Sequence, residues 1–145
     1  MGGLVVVRLP ITYRPLTDQA WLRPERQRLK RRLPLLAGDP RRLLAAEIAR
    51  LGATQFELGL DVPESQIRVD GTGLHAAAVP ASPAVEVEFL SRHGRLRFRC
   101  DRYSTWQRNV VSVAELLRDL HSLNSYGTAG RQYAGFTITE SVAAQ

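Results

Sequence analysis

The apolar residues of this chain follow a helical period in two stretches. In the first, Leu44, Ile48 and Leu51 recur at spacings of four and three, and Asp39 and Pro40 have the residue types preferred at a helix N-cap and first position. The second helix is predicted from Ser104, which has capping-box spacing to Gln107, to the Asn124–Gly127 stop. Its main apolar stripe comprises Trp106, Val110, Val113, Leu117 and Leu120.

Between the two helices, apolar and polar residues alternate with the period of strands. Phe56, Leu58 and Leu60 predict a first half-buried strand, and residues 85–91 and 94–100 predict a hairpin. Pairing Ser91 with Gly94 fixes the hairpin register, because a slip by one residue would turn every side chain to the other face. This register sets opposite charges against each other on the outer face, namely Glu86 against Arg99 and Glu88 against Arg97.

The order of elements predicts an α+β two-layer sandwich. We expect a mostly antiparallel sheet of three to four strands, with two helices on one face and a basic N-terminal arm. The fourth strand would be the short run 67–69, closed by the turn pair Asp70-Gly71. The predicted organisation is an N-terminal strand and basic arm over 1–38, a core domain over 39–127 and a C-terminal tail over 128–145.

Within the two flanking segments, three further elements are expected. Residues 4–9 predict a short strand that Pro10 ends, and residues 25–33 predict a short basic helix between Pro24 and Pro34. The tail, which contains Tyr133 and Phe136, is expected to dock as an extended strand.

The net charge of +6 is concentrated in one segment, residues 23–42. This segment contains eight basic residues against Glu25 and Asp39, so its own charge is also +6 (8 − 2). We predict that these side chains contact phosphates of DNA or RNA, or a nucleoprotein complex. The predicted nucleic-acid-binding residues are Arg23, Arg26, Arg28, Lys30, Arg31, Arg32, Arg41 and Arg42.

Charge alone does not identify the polyanion, so two other interpretations stay open. The arm would also suit an acidic surface on a protein partner, which makes the chain an interaction adaptor, or it would serve solubility alone. The composition predicts no membrane span and no cofactor, and the single Cys100 is typical of a reducing cytoplasm. The sequence does not indicate an oligomeric state.

No catalytic motif is evident, and we expect a non-enzymatic protein. Cys100 falls on the inward face of a strand, which is typical of a small buried hydrophobe. A metal-dependent nuclease is the remote alternative, because Asp70, Glu86 and Glu88 are possible cation ligands. The only lysine, Lys30, is distant in the arm. The register argument also favours a structural role for Arg95, Arg97 and Arg99.

Five segments of the sequence form a recognisable set: residues 67–71, 93–101, 103–109, 125–127 and 132–136. Together they resemble the N-terminal module of small DnaJ-like proteins of actinobacteria and their phages. In that family the module precedes a J domain, whose His-Pro-Asp loop stimulates a heat-shock ATPase. This sequence contains no His-Pro-Asp, so the resemblance implies targeting or substrate contact and does not imply co-chaperone activity.

Overall fold

A four-stranded sheet and two α-helices form the framework of the part of the chain that the structure describes. The computed structural model describes residues 10–30 and 38–139. The strands are β1 (Thr12–Pro15), β2 (Thr54–Leu60), β3 (Val85–Ser91) and β4 (Gly94–Cys100), and the helices are α1 (Pro40–Arg50) and α2 (Trp106–Ser122). The sheet order is β1-β2-β3-β4, with β1 parallel to β2 and the other neighbours antiparallel. The predicted α+β class is therefore confirmed, with a mixed sheet.

The hairpin register agrees with the prediction at every paired position. Ser91 lies opposite Gly94, Glu88 opposite Arg97 and Glu86 opposite Arg99. The inward-facing residues of the sheet are buried together with residues of both helices in one core. Helix α2 packs on β3 and β4, and α1 packs on α2. One face of the sheet is therefore apolar and covered by helices, and the opposite face bears the charged side chains.

Helix α1 begins as the sequence predicts, and α2 begins one residue later than expected. The side chain of Asp39 accepts the backbone N–H of Arg41, with Pro40 at the first helical position. In α2 the capping residue is Thr105 and not Ser104, because the Thr105 hydroxyl accepts the N–H of Arg108 at 3.3 Å. After Ser122 the helix continues as a 3₁₀ turn to Tyr126. Gly127, which has a left-handed backbone conformation, ends it.

Three predictions about strands and the arm fail within the described residues. Strand β1 lies in the segment predicted as the basic arm, where no strand was expected beyond Pro10, and Pro15 is tolerated because β1 is an edge strand. The predicted basic helix is a single 3₁₀ turn, Glu25–Gln27, followed by extended backbone at Arg28. Residues 67–69 form no sheet strand, since Ile67 makes one isolated bridge to Leu74 and Val69 projects into solvent. The predicted strand 4–9 and helix residues 31–33 lie outside the described residues.

The tail packs on the body as a 3₁₀ turn and not mainly as an extended strand. The turn covers Arg131–Phe136, and its Tyr133 is fully buried. The ring of Phe136 stacks on Phe98 with centroids 4.5 Å apart. A short extended contact follows, in which Ile138 donates its N–H to the carbonyl of Arg95 at 2.9 Å. The aromatic residues of the tail thus complete the core.

A buried asparagine connects the start of α2 to the sheet. Asn109 is completely buried, and its Nδ2 donates to the carbonyls of Pro83 at 2.8 Å and Tyr103 at 3.0 Å. Its Oδ1 accepts the N–H of Tyr103 at 2.9 Å. Such a satisfied buried amide stabilises one arrangement of the strand–helix connection, because each bond lost would leave a desolvated partner. In the described ranges, no helix combines the length and apolarity needed to cross a lipid bilayer.

Candidate nucleic-acid interface

The first half of the arm crosses the charged face of the sheet. Beyond β1, Leu16 donates its N–H to the carbonyl of Leu60 at 3.0 Å. Thr17 then reaches β3, where its backbone N–H and hydroxyl donate to Oε1 of Glu86 at 3.1 and 2.8 Å. Farther along, the ring of Trp21 lies 5.4 Å from the guanidinium carbon of Arg99 on β4. The arm thus passes from one edge of the sheet to the other.

Asp101 anchors the second half of the arm. This carboxylate, 4% exposed, accepts the backbone N–H of Arg23 at 2.6 Å and the Nε–H of the same residue at 2.9 Å. Leu29 then pairs beside Tyr103: it donates its N–H to the carbonyl of Arg102 at 2.8 Å and accepts the N–H of Ser104 at 2.9 Å. Residues 23–30 are therefore held along the connection between β4 and α2.

The eight predicted binding residues have different surroundings. Arg26, Lys30 and Arg42 are exposed, and none has an ion pair among the described residues. Arg23 and Arg28 both approach Asp101, and the side chain of Arg28 is only 8% exposed. Arg31 and Arg32 lie outside the described residues.

Arg41 is held at the start of α1 by two partners. Its guanidinium lies 3.1 Å from Oδ2 of Asp39 and donates to the hydroxyl of Tyr13 at 3.1 Å. Hydrogen bonding to Asp39, and next to Tyr13, raises the pKa of Arg41 above its ordinary value. This arginine therefore stays charged, but part of its charge is balanced locally.

The structure distributes these residues over two edges of the sheet. Arg23 and Arg28 lie beside Asp101, directly after β4, whereas Arg41 contacts Tyr13 on β1. Strands β1 and β4 are the two edges, three strand spacings or about 14 Å apart. A nucleic acid would therefore have to extend from one edge of the sheet to the other for its phosphates to contact both groups of residues.

Arg102 joins the group beside β4, although sequence reasoning missed it. It is exposed, and its guanidinium lies over the ring of Tyr103, 5.4 Å from the centroid. Its carbonyl accepts the N–H of Leu29, so Arg102 lies beside the arm at Leu29. No local pattern indicates this position, because the pairing of Leu29 with Tyr103, which brings Arg102 to the arm, joins residues distant in sequence.

The charged face of the sheet contains a separate network centred on two glutamates. Glu86 is completely buried and accepts Nη1 of Arg14 at 2.7 Å and Nε of Arg99 at 2.6 Å. Burial opposes the charge of Glu86, but the hydrogen bonds from Arg14, Arg99 and Thr17 prevail and lower its pKa to about 2. Glu88 accepts from Arg14, Arg95 and Arg97 at 2.9–3.2 Å.

Gly59 makes this network possible. In the register of β1 with β2, Arg14 lies opposite Gly59, and its side chain passes over that position to reach β3. A Cβ on Gly59 would lie 2.6 Å from Nη1 of Arg14 and 3.2 Å from Cβ of Glu86. Because Gly59 has no side chain, the side chain of Arg14 can extend across β2 to reach β3.

The residues of the nuclease interpretation are not brought together as a ligand set. Asp70 is exposed in a turn, where its carboxylate accepts the hydroxyl of Thr72 at 2.7 Å, and Glu86 and Glu88 bind arginines. In the part of the chain that the structure describes, no group of three or more His, Cys, Asp or Glu side chains has an arrangement suited to a metal ion. Cys100 is partly buried, and its burial raises the pKa of the thiol.

Comparisons with protein-family models, with curated proteins and with solved structures find no match for this chain. The resemblance to the N-terminal module of DnaJ-like proteins therefore stays a prediction based on the five segments named above. Any function must be argued from the geometry of the chain itself.

Proposed function

We propose that this protein is a small non-catalytic binding module of the cytoplasm that attaches to nucleic acid, alone or within a nucleoprotein complex, through residues 23–42. One observation carries the proposal: the net charge of this segment equals that of the whole chain, +6. The α+β body acts as the scaffold, and the arm presents the charge along one end of the sheet.

The exposed members of the segment are suited to phosphate contact. Arg26, Lys30 and Arg42 project into solvent, and the exposed Arg102 adds a fourth positive charge beside the arm. Contacts of this kind bind the backbone of nucleic acid without reading its sequence, and they release condensed counterions. Asp101 supports them indirectly, because it holds Arg23 and the adjoining backbone against the body.

The charge network on the sheet contributes little to this proposal. Arg14, Arg95, Arg97 and Arg99 already face Glu57, Glu86 and Glu88. A phosphate that displaced a glutamate would leave a buried carboxylate without its partners, which is energetically costly. We therefore assign binding to the arm and structural stabilisation to the sheet face.

Two variants with equal net charge test where binding occurs. One has Arg26, Lys30, Arg31 and Arg32 changed to Ala, and the other has the exposed Arg68, Arg92, Arg118 and Arg131 changed to Ala. Each leaves a net charge of +2 (6 − 4). Binding to labelled duplex DNA, single-stranded DNA and duplex RNA is measured by fluorescence anisotropy at low salt.

We expect the arm variant to bind about 100-fold more weakly than the wild type and the control variant to bind much as the wild type does. Equal weakening in both variants would indicate general charge attraction and contradict a located interface. Absence of binding in the wild type would leave an acidic protein surface as the partner of the arm.

A further inference from the structure

A groove runs between the arm and the start of α2. Its volume is about 410 Å³, and the loop 79–83 forms one wall. The other lining residues are Glu25 and Arg28 of the arm and the four residues from Ser104 to Gln107. The groove therefore lies where the arm, the end of β4 and the N-terminus of α2 meet.

The N-terminus of α2 presents backbone donors to this groove. The first N–H groups of a helix have no acceptor within the helix. In α2, Thr105 accepts the N–H of Arg108 with its hydroxyl and that of Asn109 with its carbonyl. The N–H groups of Trp106 and Gln107 have no acceptor among the described residues. Both residues line the groove, at the positive end of a 17-residue helix.

Arg28 provides a second, independent indication of an anion. Arg28 lines the groove, its side chain is 92% buried (100 − 8), and its guanidinium makes no hydrogen bond among the described residues. The nearest carboxylate contact of its guanidinium, Nη2 to Oδ2 of Asp101, is 3.8 Å, too long for a hydrogen bond. A buried donor left unpaired costs free energy, so an acceptor in the groove would be stabilising.

The charges around the groove favour a strong anion over a neutral acceptor. Asp101 is already hydrogen-bonded by the backbone and side chain of Arg23, so it balances Arg28 only in part. Glu25 is the single carboxylate among the groove-lining residues, and it is exposed to solvent. A guanidinium and two adjacent backbone N–H groups are the donors that typically bind phosphate oxygens.

We infer that this groove is a phosphate-binding site formed by Arg28 and the first turn of α2. The inference deepens the proposed function. It rests on the proposed function only where the bound phosphate belongs to a nucleic acid. The group would belong either to a nucleic-acid backbone that follows the arm or to a free phosphate compound. In both cases Arg28 acts inside the groove, and Arg26 and Lys30 lie outside it.

The site is tested by titrating the full chain with inorganic phosphate at constant ionic strength. The probes are the amide resonances of Trp106 and Gln107, compared with that of Val87 in the core. We expect saturable shifts at the two groove amides, with a dissociation constant of about 1 mM or tighter, and no shift at Val87. No saturable shift at Trp106 and Gln107 would overturn the inference.

Two substitutions test the location of the site, and each changes a different one of its proposed contacts with phosphate. Arg28→Met removes the guanidinium, and Gln107→Glu introduces a carboxylate that competes for the helix N-terminus while stabilising the helix itself. Each should weaken phosphate binding at least about tenfold. Gln27→Glu changes the net charge equally on an exposed residue outside the groove and should leave binding unchanged. Unchanged binding in Gln107→Glu would refute the site even if Arg28→Met failed to fold.

A parallel assay with labelled duplex DNA, single-stranded DNA and duplex RNA separates this inference from the proposed function. If Gln107→Glu weakens both phosphate and nucleic-acid binding, the groove binds a phosphate of the nucleic acid. If phosphate binds in the groove and none of the three nucleic acids binds, the site serves a free phosphate compound and the proposed function fails. Nucleic-acid binding by the wild type without phosphate-induced shifts would retain the proposed function and overturn the groove.

Discussion

Glu86 should make the stability of this protein depend on pH. Its carboxylate is completely buried, and hydrogen bonds from Arg14, Arg99 and Thr17 lower its pKa from the ordinary 4.5 to about 2 despite burial. Because the folded-state pKa is lower than the unfolded-state pKa, the stabilisation is fully present above about pH 4.5 and is lost as the pH falls toward 2. This difference corresponds to about 3 kcal/mol at neutral pH.

The perturbation that tests this reasoning is Glu86→Gln, which keeps the shape of the side chain and removes its charge. The variant removes one counter-charge from the partly buried side chain of Arg14 and from Arg99, so we expect a loss of about 3 kcal/mol in the free energy of unfolding at pH 7. In the wild type, protonation removes the same charge at low pH. The difference between the two proteins should therefore fall to less than half by about pH 3.

Urea unfolding followed by tryptophan fluorescence at pH 7, 5, 4 and 3 measures this difference. Glu64→Gln, at an exposed position in a 3₁₀ turn, is the matched control and should change the unfolding free energy little at any pH. A constant difference between Glu86→Gln and the wild type from pH 7 to pH 3 would refute the assignment to the carboxylate charge. A loss below about 1 kcal/mol at pH 7 would show that the network contributes little.

Three further substitutions have defined outcomes. Gly59→Ala should destabilise the protein by about 1–3 kcal/mol in urea unfolding, because its Cβ would occupy the path of Arg14; an unchanged midpoint would contradict this. Asp101→Asn should release the second half of the arm, with amide hydrogen exchange at Leu29 accelerated about tenfold or more, whereas unchanged exchange would show that other contacts hold it. Asn109→Ala should cost about 3 kcal/mol in thermal or urea unfolding, because it leaves buried backbone groups unpaired; a loss below 1 kcal/mol would argue against this.

Local patterns predict the elements whose partners are close in sequence. The hairpin of β3 and β4 could be placed in register because Glu86 and Glu88 face Arg99 and Arg97 across a two-residue turn. The start of α1 is likewise indicated by Asp39 and Pro40, which act within one turn. The cap of α2 was misplaced by one residue, since Ser104 and Thr105 are adjacent residues of similar capping preference.

The features that sequence reasoning missed depend on contacts distant in sequence. Strand β1 has only four residues and pairs in parallel with β2, more than forty positions later, so no hairpin signal marks it. From the local sequence, Gly59 would be expected only to weaken a strand. Its role is evident only in the fold, where the side chain of Arg14 passes over it. The position of Arg102 beside the arm likewise follows from one long-range bridge.

The sequence predicts the candidate interface as one continuous segment. It does not predict that the residues of this segment lie at two different edges of the sheet. Charge counting identifies residues 23–42, because a run of arginines requires no tertiary information. It does not show that Asp101 engages Arg23 and Arg28, or that Arg41 contacts Tyr13. Those contacts decide which cations face solvent, and they depend on the whole fold.

The salt dependence of nucleic-acid binding tests the central claim most directly. We would measure the dissociation constants of the wild-type chain for labelled duplex DNA, single-stranded DNA and duplex RNA by fluorescence anisotropy from 50 to 200 mM salt. If the arm neutralises about six phosphates of a duplex, affinity should fall about 10³-fold over this range. No binding to any of the three at 50 mM salt, or a fall of less than about tenfold, would contradict the claim that the basic arm is a nucleic-acid interface.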